Sequence, residues 1–256
     1  MKKRKQPKIK RVASTRLINT TTEIVKPIVN KPALQNMVLT ITAVALCPKF
    51  KINEISCHLP VAVQTERTKQ KRLLRFIDSK FPKQQLLDRW ARFVIETVYQ
   101  TSGAVVPILI DETALIGPFQ AIVAAVPFRQ CAIVIYFKAY TTKEIQSMKI
   151  VSHNVLVQKF CWRVAKITTS RLPKKSQPLL IFDRSFARGQ HIMQWLMRRK
   201  IRFLIRVCKN TRLEFEGNVT TLNQLDRTEF YPKVVYYRTL KLRLNSYVAR
   251  NNRFEN

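Results

Sequence analysis

The first hundred residues follow the spacing of helices. Residues 1–32 are basic and polar with three prolines, and they predict a flexible arm that either touches DNA phosphates or is only a solvated tail. Residues 33–47 are almost continuously apolar and predict a buried helix. Residues 67–77 and 84–100 place apolar positions on one side and charged positions on the other. We therefore expect a helical unit over 33–103 whose basic face binds DNA, with a merely solvated face as the alternative.

The pattern changes to short apolar runs from residue 104 onwards. Three runs with tight joints, Ala104–Ile110, Gln120–Phe128 and Cys131–Phe137, predict three consecutive strands. Leu179–Phe182 and Arg202–Cys208 predict a fourth and a fifth strand. Helical stretches separate the later strands, so the expected order is three strands followed by alternating helices and strands.

This order predicts an α/β fold with a mixed sheet, because helical crossovers place later strands parallel to the first. Helices are expected over most of 143–165 and over 190–200, with a polar loop at 166–178 between them. The core domain would span 104–210. Residues 211–256 alternate apolar and basic positions and predict the start of a β-rich insertion.

Composition adds a partner to this picture. The 256 residues include 47 Lys and Arg against 15 Asp and Glu, a formal net charge of +32, yet 46% are hydrophobic. A folded protein with this excess of cations is expected to bind a polyanion. Nucleic acid is the first choice, and a membrane surface is the weaker alternative.

Several other classes are disfavoured. There is no glycine-rich nucleotide-binding loop, no signal-peptide pattern and no apolar run that would span a membrane. An odd number of scattered cysteines predicts reduced thiols and a cytoplasmic protein. The spacing of Cys47, Cys57 and His58 does not match a zinc site.

Two acids, Asp111 and Asp183, each follow a strongly apolar run. If the first and fourth strands are parallel neighbours, both carboxylates emerge at the same edge of the sheet. Their repulsion would be relieved by magnesium, and two ions about 3.5–4 Å apart support phosphodiester chemistry. The alternative is that both acids only end strands or cap turns. Glu112 is expected to point the other way.

Five segments together resemble insertion-sequence DDE transposases of the IS-four type. Ile108–Thr113 and Phe119–Arg129 are similar to the first catalytic block of that family. Leu180–Phe186 and Phe203–Asn210 are similar to the second, and Lys71–Phe76 to the basic helix before the core. The resemblance implies a ribonuclease-H-like core that carries a β-rich insertion.

The resemblance also implies an activity. Asp111 and Asp183 match the first two acids of the catalytic triad, which hold Mg²⁺ (or Mn²⁺) for cleaving and joining DNA at element ends. The implied partners are double-stranded DNA and a second copy or a full-length transposase, at the nucleoid in the cytoplasm. The expected DNA contacts are Lys71, Arg72, Arg75, Arg184, Arg206 and Lys209.

The third acid of the family is not matched. Tyr247 and Arg250 have the family's separation, but Phe254 stands where the glutamate is expected and Glu255 comes one residue late. We therefore expect a transposase truncated before its third acid, impaired in activity, with one sheet face exposed. The alternatives are a non-catalytic DNA-binding remnant that competes for element ends and a metal-dependent nuclease outside transposition.

Overall fold

A computed structural model describes most of the chain. The described residues are 18–27, 31–47, 51–61, 65–79, 82–115, 117–147, 153–188, 190–208, 210–215, 217–224, 234–237 and 240–243.

The chain divides into two compact units, Met1–Thr97 and Val98–Asn256. The sequence pattern placed this boundary after residue 103, whereas the structure places it after Thr97. The reason lies in the segment that precedes the first strand. The Ser176 hydroxyl donates to the Thr101 carbonyl at 3.2 Å, and the Gly103 N–H bonds to the same loop of the second unit.

The first unit is helical, as predicted. Its helices are α1 (residues 18–25), α2 (Lys31–Leu46), α3 (Ile52–Cys57), α4 (Glu66–Asp78) and α5 (Lys83–Val98). Ala43 of α2, Leu59 after α3 and Leu73 of α4 form a buried apolar cluster. Helices α2, α3 and α4 therefore pack around a common core, and one side of α4 is held inward by Leu73.

The prediction of a flexible arm over 1–32 is wrong for residues 18–25. This segment is helical, and Thr21 and Val25, one turn apart, are both buried, with Val25 only 1% exposed. Polar and charged residues surround Thr21 and Val25 in the sequence, so the pattern did not predict that one side of this helix is buried. Residues 26 and 27 form a turn, residues 31 and 32 begin α2, and residues 1–17 and 28–30 of the expected arm lie outside the described residues.

The second unit contains a five-stranded mixed sheet. Its strands are β1 (Val105–Ala114), β2 (Phe119–Phe128), β3 (Cys131–Thr141), β4 (Gln177–Phe182) and β5 (Arg202–Ile205). Their spatial order is β3-β2-β1-β4-β5. The first three strands are antiparallel neighbours, whereas β1, β4 and β5 run parallel. The predicted mixed sheet is confirmed. Strands β1 and β4 are parallel neighbours, which is the condition under which Asp111 and Asp183 would share an edge.

Helices α6 (Thr142–Ser147), α7 (His153–Thr169) and α8 (Gln190–Arg198) connect these strands, with a 3-10 turn at Arg184–Arg188. Helix α7 extends into the loop expected at 166–178, because Ile167 and Thr168 are buried and continue its inner face. It packs on β2 and β4, while α8 packs on β5 and α7.

The two faces of the sheet differ. On one face Ile108, Ile110 and Phe182 are buried, and the ring of Tyr136 on that face lies 5.5 Å from the ring of Phe160 in α7. The opposite face, called the open face below, shows large apolar side chains that are 43–47% exposed. They are Val105, Val134, Phe137 and Leu204. One exposed sheet face was expected.

A second sheet of four short strands follows the core. Its members are β6 (Arg212–Phe215), β7 (Asn218–Thr221), β8 (Val234–Tyr237) and β9 (Leu240–Arg243), in the order β7-β6-β8-β9. All its pairings are antiparallel. The β-rich character predicted for 211–256 is confirmed for its described part. Tyr247, Arg250 and Glu255 lie outside the described residues.

Candidate active site

Asp111 and Asp183 each come directly after one member of the same residue pair in the sheet. The parallel pairing of β1 with β4 ends at Ile110 opposite Phe182, and Asp111 and Asp183 are the next residues. Neighbouring strands lie about 4.8 Å apart, so this register places the backbones of two residues distant in sequence at neighbouring positions of one sheet edge. Both aspartates are exposed and follow the alternation of the open face.

The sequence pattern suggested that Asp111 ends its strand, but it does not. Strand β1 continues to Ala114 by pairing with β2, and Asp111 stands opposite Val123 there. The pairing of β1 with β4 ends one residue earlier, at Ile110. One carboxylate oxygen of Asp111 accepts a hydrogen bond from the backbone N–H of Glu112 at 2.8 Å, which orients the side chain.

Asp183 lies between β4 and the 3-10 turn. Its carbonyl accepts a hydrogen bond from the N–H of Phe186 at 3.2 Å, and this bond begins the turn. The ring of Phe186 packs back on the ring of Phe182 with 5.3 Å between centroids, and Phe186 is only 8% exposed. The turn is thus anchored in the core, while Arg184 within it is exposed.

Arg206 extends the row of charged residues to the third parallel strand. The pairing of β4 with β5 ends at Phe182 opposite Ile205, so Arg206 follows in register with Asp183. The Arg206 N–H donates to the carbonyl of Phe182 at 3.1 Å, and its side chain is exposed. Three adjacent strands therefore present a carboxylate, a second carboxylate and a guanidinium in a row. Lys209 lies outside the described residues.

Glu112 points to the opposite face, as predicted, and has a partner that the sequence analysis missed. Its Oε1 lies 2.7 Å from Nε2 of His153, the first residue of α7. This hydrogen bond raises the pKa of His153, partial burial opposes the rise, and the Glu112 charge adds to it. The His153 ring also lies 6.1 Å from the ring of Tyr140 on β3.

The sequence held a partial signal for this contact. Glu112 continues the alternation of Ile108 and Ile110, whose side chains face the packed helix, and a carboxylate there requires a partner. The identity of that partner could not be inferred, because His153 is distant in sequence and stands at the start of a crossover helix.

The donor chemistry of the aspartate pair fits magnesium. The two side chains offer carboxylate oxygens, the ligands that magnesium prefers, and their exposure leaves room for waters and substrate phosphates. Across the described ranges, no group of three or more His, Cys, Asp or Glu side chains converges as a metal site would require. Asp111 and Asp183 would therefore supply two ligands and not a complete cage.

The cations predicted on the basic helix are brought together in the first unit. Lys71, Arg72 and Arg75 lie on one face of α4 and line an open cleft, into which Asn36 of α2 and Thr68 of α4 also project. The cleft lies in the first unit and is lined mainly by cations, whereas the aspartate pair lies in the second unit and offers carboxylates.

Other expectations have simple outcomes. None of the five cysteines, all of them within the described ranges, forms a disulfide, and Cys161 is buried, which raises its pKa to about 12. Among the described helices, none has both the length and the apolar character that spanning a membrane requires.

No protein-family model matches the chain, and no curated protein sequence matches it.

Proposed function

We propose that this protein transfers phosphoryl groups on DNA as a metal-dependent DDE transposase with a ribonuclease-H-like core. The observation that carries the proposal is the placement of Asp111 and Asp183 in adjacent register on an exposed edge of a mixed sheet. If both side chains turn toward the same point of this edge, their charges would repel each other without a cation, so the arrangement favours metal binding. The net charge of +32 favours a polyanionic substrate.

Each residue of the row has a distinct task in this proposal. Asp111 and Asp183 would hold Mg²⁺ (or Mn²⁺) through their carboxylate oxygens. Bound there, the metal supplies an activated attacking oxygen and stabilisation of the leaving oxygen. Arg206 and Arg184 would contact the phosphates on either side of Asp183 and orient the scissile strand. Lys209 is proposed as a further phosphate contact from the resemblance alone.

A second candidate is a non-catalytic DNA-binding protein that competes for element ends. The observation that favours it is that the described residues provide two carboxylates and no third ligand. In that case the charge and the cleft of the first unit would carry the function. The proposed location, at the nucleoid in the cytoplasm, is the same for both candidates.

Nicking of supercoiled plasmid DNA by the full chain tests the two candidates. With Mg²⁺ or Mn²⁺ present, we expect wild-type protein to convert plasmid to the nicked form. Asp111→Asn and Asp183→Asn should each reduce nicking to background, because the amide loses the charge that holds the cation. Both variants should keep wild-type affinity for DNA, measured by fluorescence anisotropy.

Matched controls separate chemistry from folding. Asp78→Asn removes an equally exposed carboxylate from α4 and should leave nicking unchanged. If Asp111→Asn nicks as fast as wild type, the catalytic proposal is wrong. If wild type binds DNA but never nicks it, the non-catalytic candidate replaces it.

A further inference from the structure

The cleft of the first unit has the composition of an anion site. Its volume is about 350 Å³, and it is lined by Asn36, Thr68, Lys71, Arg72 and Arg75. Three of these side chains are cationic, one is a hydroxyl and one is an amide. Among the described lining residues none carries a carboxylate and none is aromatic. The cleft therefore offers positive charge and hydrogen-bond donors but no surface on which a base would stack.

The helix presents these groups together because of their spacing. Thr68, Lys71, Arg72 and Arg75 follow the i, i+3, i+4, i+7 pattern that places side chains on one helix face. Helix α4 cannot rotate this face away, since Leu73 is buried at 2% exposure in the cluster with Ala43 and Leu59. The cleft is thus a fixed feature of the packing.

Arg72 is held by a neutral partner. Its Nε–H donates to Oδ1 of Asn36 at 2.8 Å, across 36 positions of sequence. A carboxylate in the place of Asn36 would neutralise the guanidinium, whereas an amide oxygen orients it and leaves its charge intact. Within the described ranges, no ion pair involves Lys71, Arg72 or Arg75. The full charge of all three side chains remains for a ligand.

We infer that this cleft clamps the phosphate backbone of duplex DNA, with Lys71, Arg72 and Arg75 as phosphate contacts and Asn36 as the positioning residue for Arg72. The inference rests on the DNA partner of the proposed function. The three cations were expected as DNA contacts, and the cleft and the positioning role of Asn36 are what the structure adds. Contacts of this kind do not depend on base sequence. The clamp therefore sets affinity and salt dependence and leaves sequence readout to other residues.

Salt dependence of DNA binding by the full chain tests the clamp. Affinities of two unrelated duplexes are measured by anisotropy between about 50 and 200 mM salt, where phosphate contacts dominate the change. Lys71→Ala/Arg75→Ala should weaken both duplexes by the same factor. The slope of log affinity against log salt should become shallower by about 1.8, since each lost contact contributes about 0.9.

Asn36→Asp tests the positioning role. The substitution is nearly isosteric and places a carboxylate against Arg72, so it should weaken binding and reduce the slope by about 0.9. Asn36→Ala should weaken binding with a smaller change in slope, because Arg72 keeps its charge and loses its orientation. A purely structural role for Asn36 would lower thermal stability in both variants and leave the slope unchanged.

Lys138→Ala/Lys143→Ala is the matched control, because it removes two exposed cations from the second unit with the same loss of net charge. If this control and Lys71→Ala/Arg75→Ala change the slope equally, or if Asn36→Asp binds as wild type, the clamp is wrong. Inorganic phosphate at matched ionic strength distinguishes the source of the anion. Phosphate that binds wild type but not Lys71→Ala/Arg75→Ala, and that leaves the DNA affinity of wild type unchanged, would assign the cleft to the free ion and overturn the clamp.

The outcome is separable from that of the proposed function. Wild-type binding with unchanged cleft variants rejects only the clamp, whereas absent nicking with altered cleft variants rejects only the catalysis. If wild type does not bind duplex DNA at all, both proposals are overturned.

Discussion

At the scale of single residues, Asp111 and Glu112 are adjacent in sequence and face opposite environments. Asp111 lies on the open face beside Asp183, while Glu112 lies on the packed face against His153. Strand alternation is the cause, since successive side chains point to opposite sides of a sheet. A single register shift would exchange the two carboxylates. The contact of Glu112 with His153 therefore helps to fix which acid reaches the exposed edge.

The hydrogen bond between Glu112 and His153 predicts a pH-dependent stability. The raised pKa of His153 means that the folded state binds its proton more tightly than the unfolded chain does. The stabilisation is fully present below the unfolded pKa, near about 6.5. It is lost as the pH rises through the higher folded value. Glu112→Gln should remove most of it.

Urea unfolding at acidic and alkaline pH measures this difference. His153 is 41% exposed and Glu112 22% exposed, so solvent screening limits the effect. We expect wild type to exceed Glu112→Gln by about 0.5 kcal/mol near pH 6, the range of partly exposed pairs, and by less near pH 9. By NMR, the pKa of His153 should fall in the variant, while the signals of His58 and His191 stay in place. An unchanged His153 titration would contradict the assignment.

At the scale of elements, the 3-10 turn after β4 determines where Asp183 and Arg184 lie. Only Phe186 and Ala187 are apolar within the segment Arg184–Arg188, and both are buried. The sequence pattern therefore gave little indication of where this segment lies. The contact of Phe186 with Phe182 returns the chain to the core immediately after the strand. Buried packing of one aromatic ring thus holds an exposed acid at the edge of the sheet.

Phe186→Ala should therefore affect both stability and the proposed site. Loss of a buried phenyl ring from a core costs about 3 kcal/mol of unfolding free energy. Nicking should fall even under conditions in which the variant is fully folded, because the turn that carries Arg184 loses its anchor. Phe137→Ala is the control: its ring is 46% exposed on the open face, and the cost should stay within about 0.5 kcal/mol. Equal costs for both variants would show that Phe186 is not an anchor.

At the scale of the whole molecule, the chain has two compact units. The cluster of Ala43, Leu59 and Leu73 lies within the first unit. Ile108, Ile110 and Phe182 are among the most buried residues of the second. The proposed DNA clamp and the proposed catalytic row thus depend on different sets of packing contacts.

This separation predicts local unfolding of one unit. Leu73→Ala should destabilise the first unit by about 3 kcal/mol, the usual cost of truncating a buried leucine. Hydrogen exchange followed by mass spectrometry should show faster exchange in α2 and α4 and unchanged protection in β1 and β4. DNA affinity should fall with the loss of α4. Equal acceleration in both units would mean that they unfold together.

The local pattern of the sequence was sufficient for most elements. Apolar runs bounded by polar joints predicted β1 to β5, and helical spacing predicted α2, α4, α5 and α8, because both signals are carried by neighbouring residues. Burial that depends on distant contacts was missed. The helix at residues 18–25 and the last turn of α7 are the examples.

The sequence by itself determined the order of elements, the excess of cations and the presence of an acid after each of two apolar runs. Only the tertiary structure placed Asp111, Asp183 and Arg206 in one row, paired Glu112 with His153, and set Asn36 against Arg72. The physical reason is that periodicity is a local property of the chain. Register and packing are decided by hydrogen bonds and side-chain contacts between segments that the sequence holds far apart.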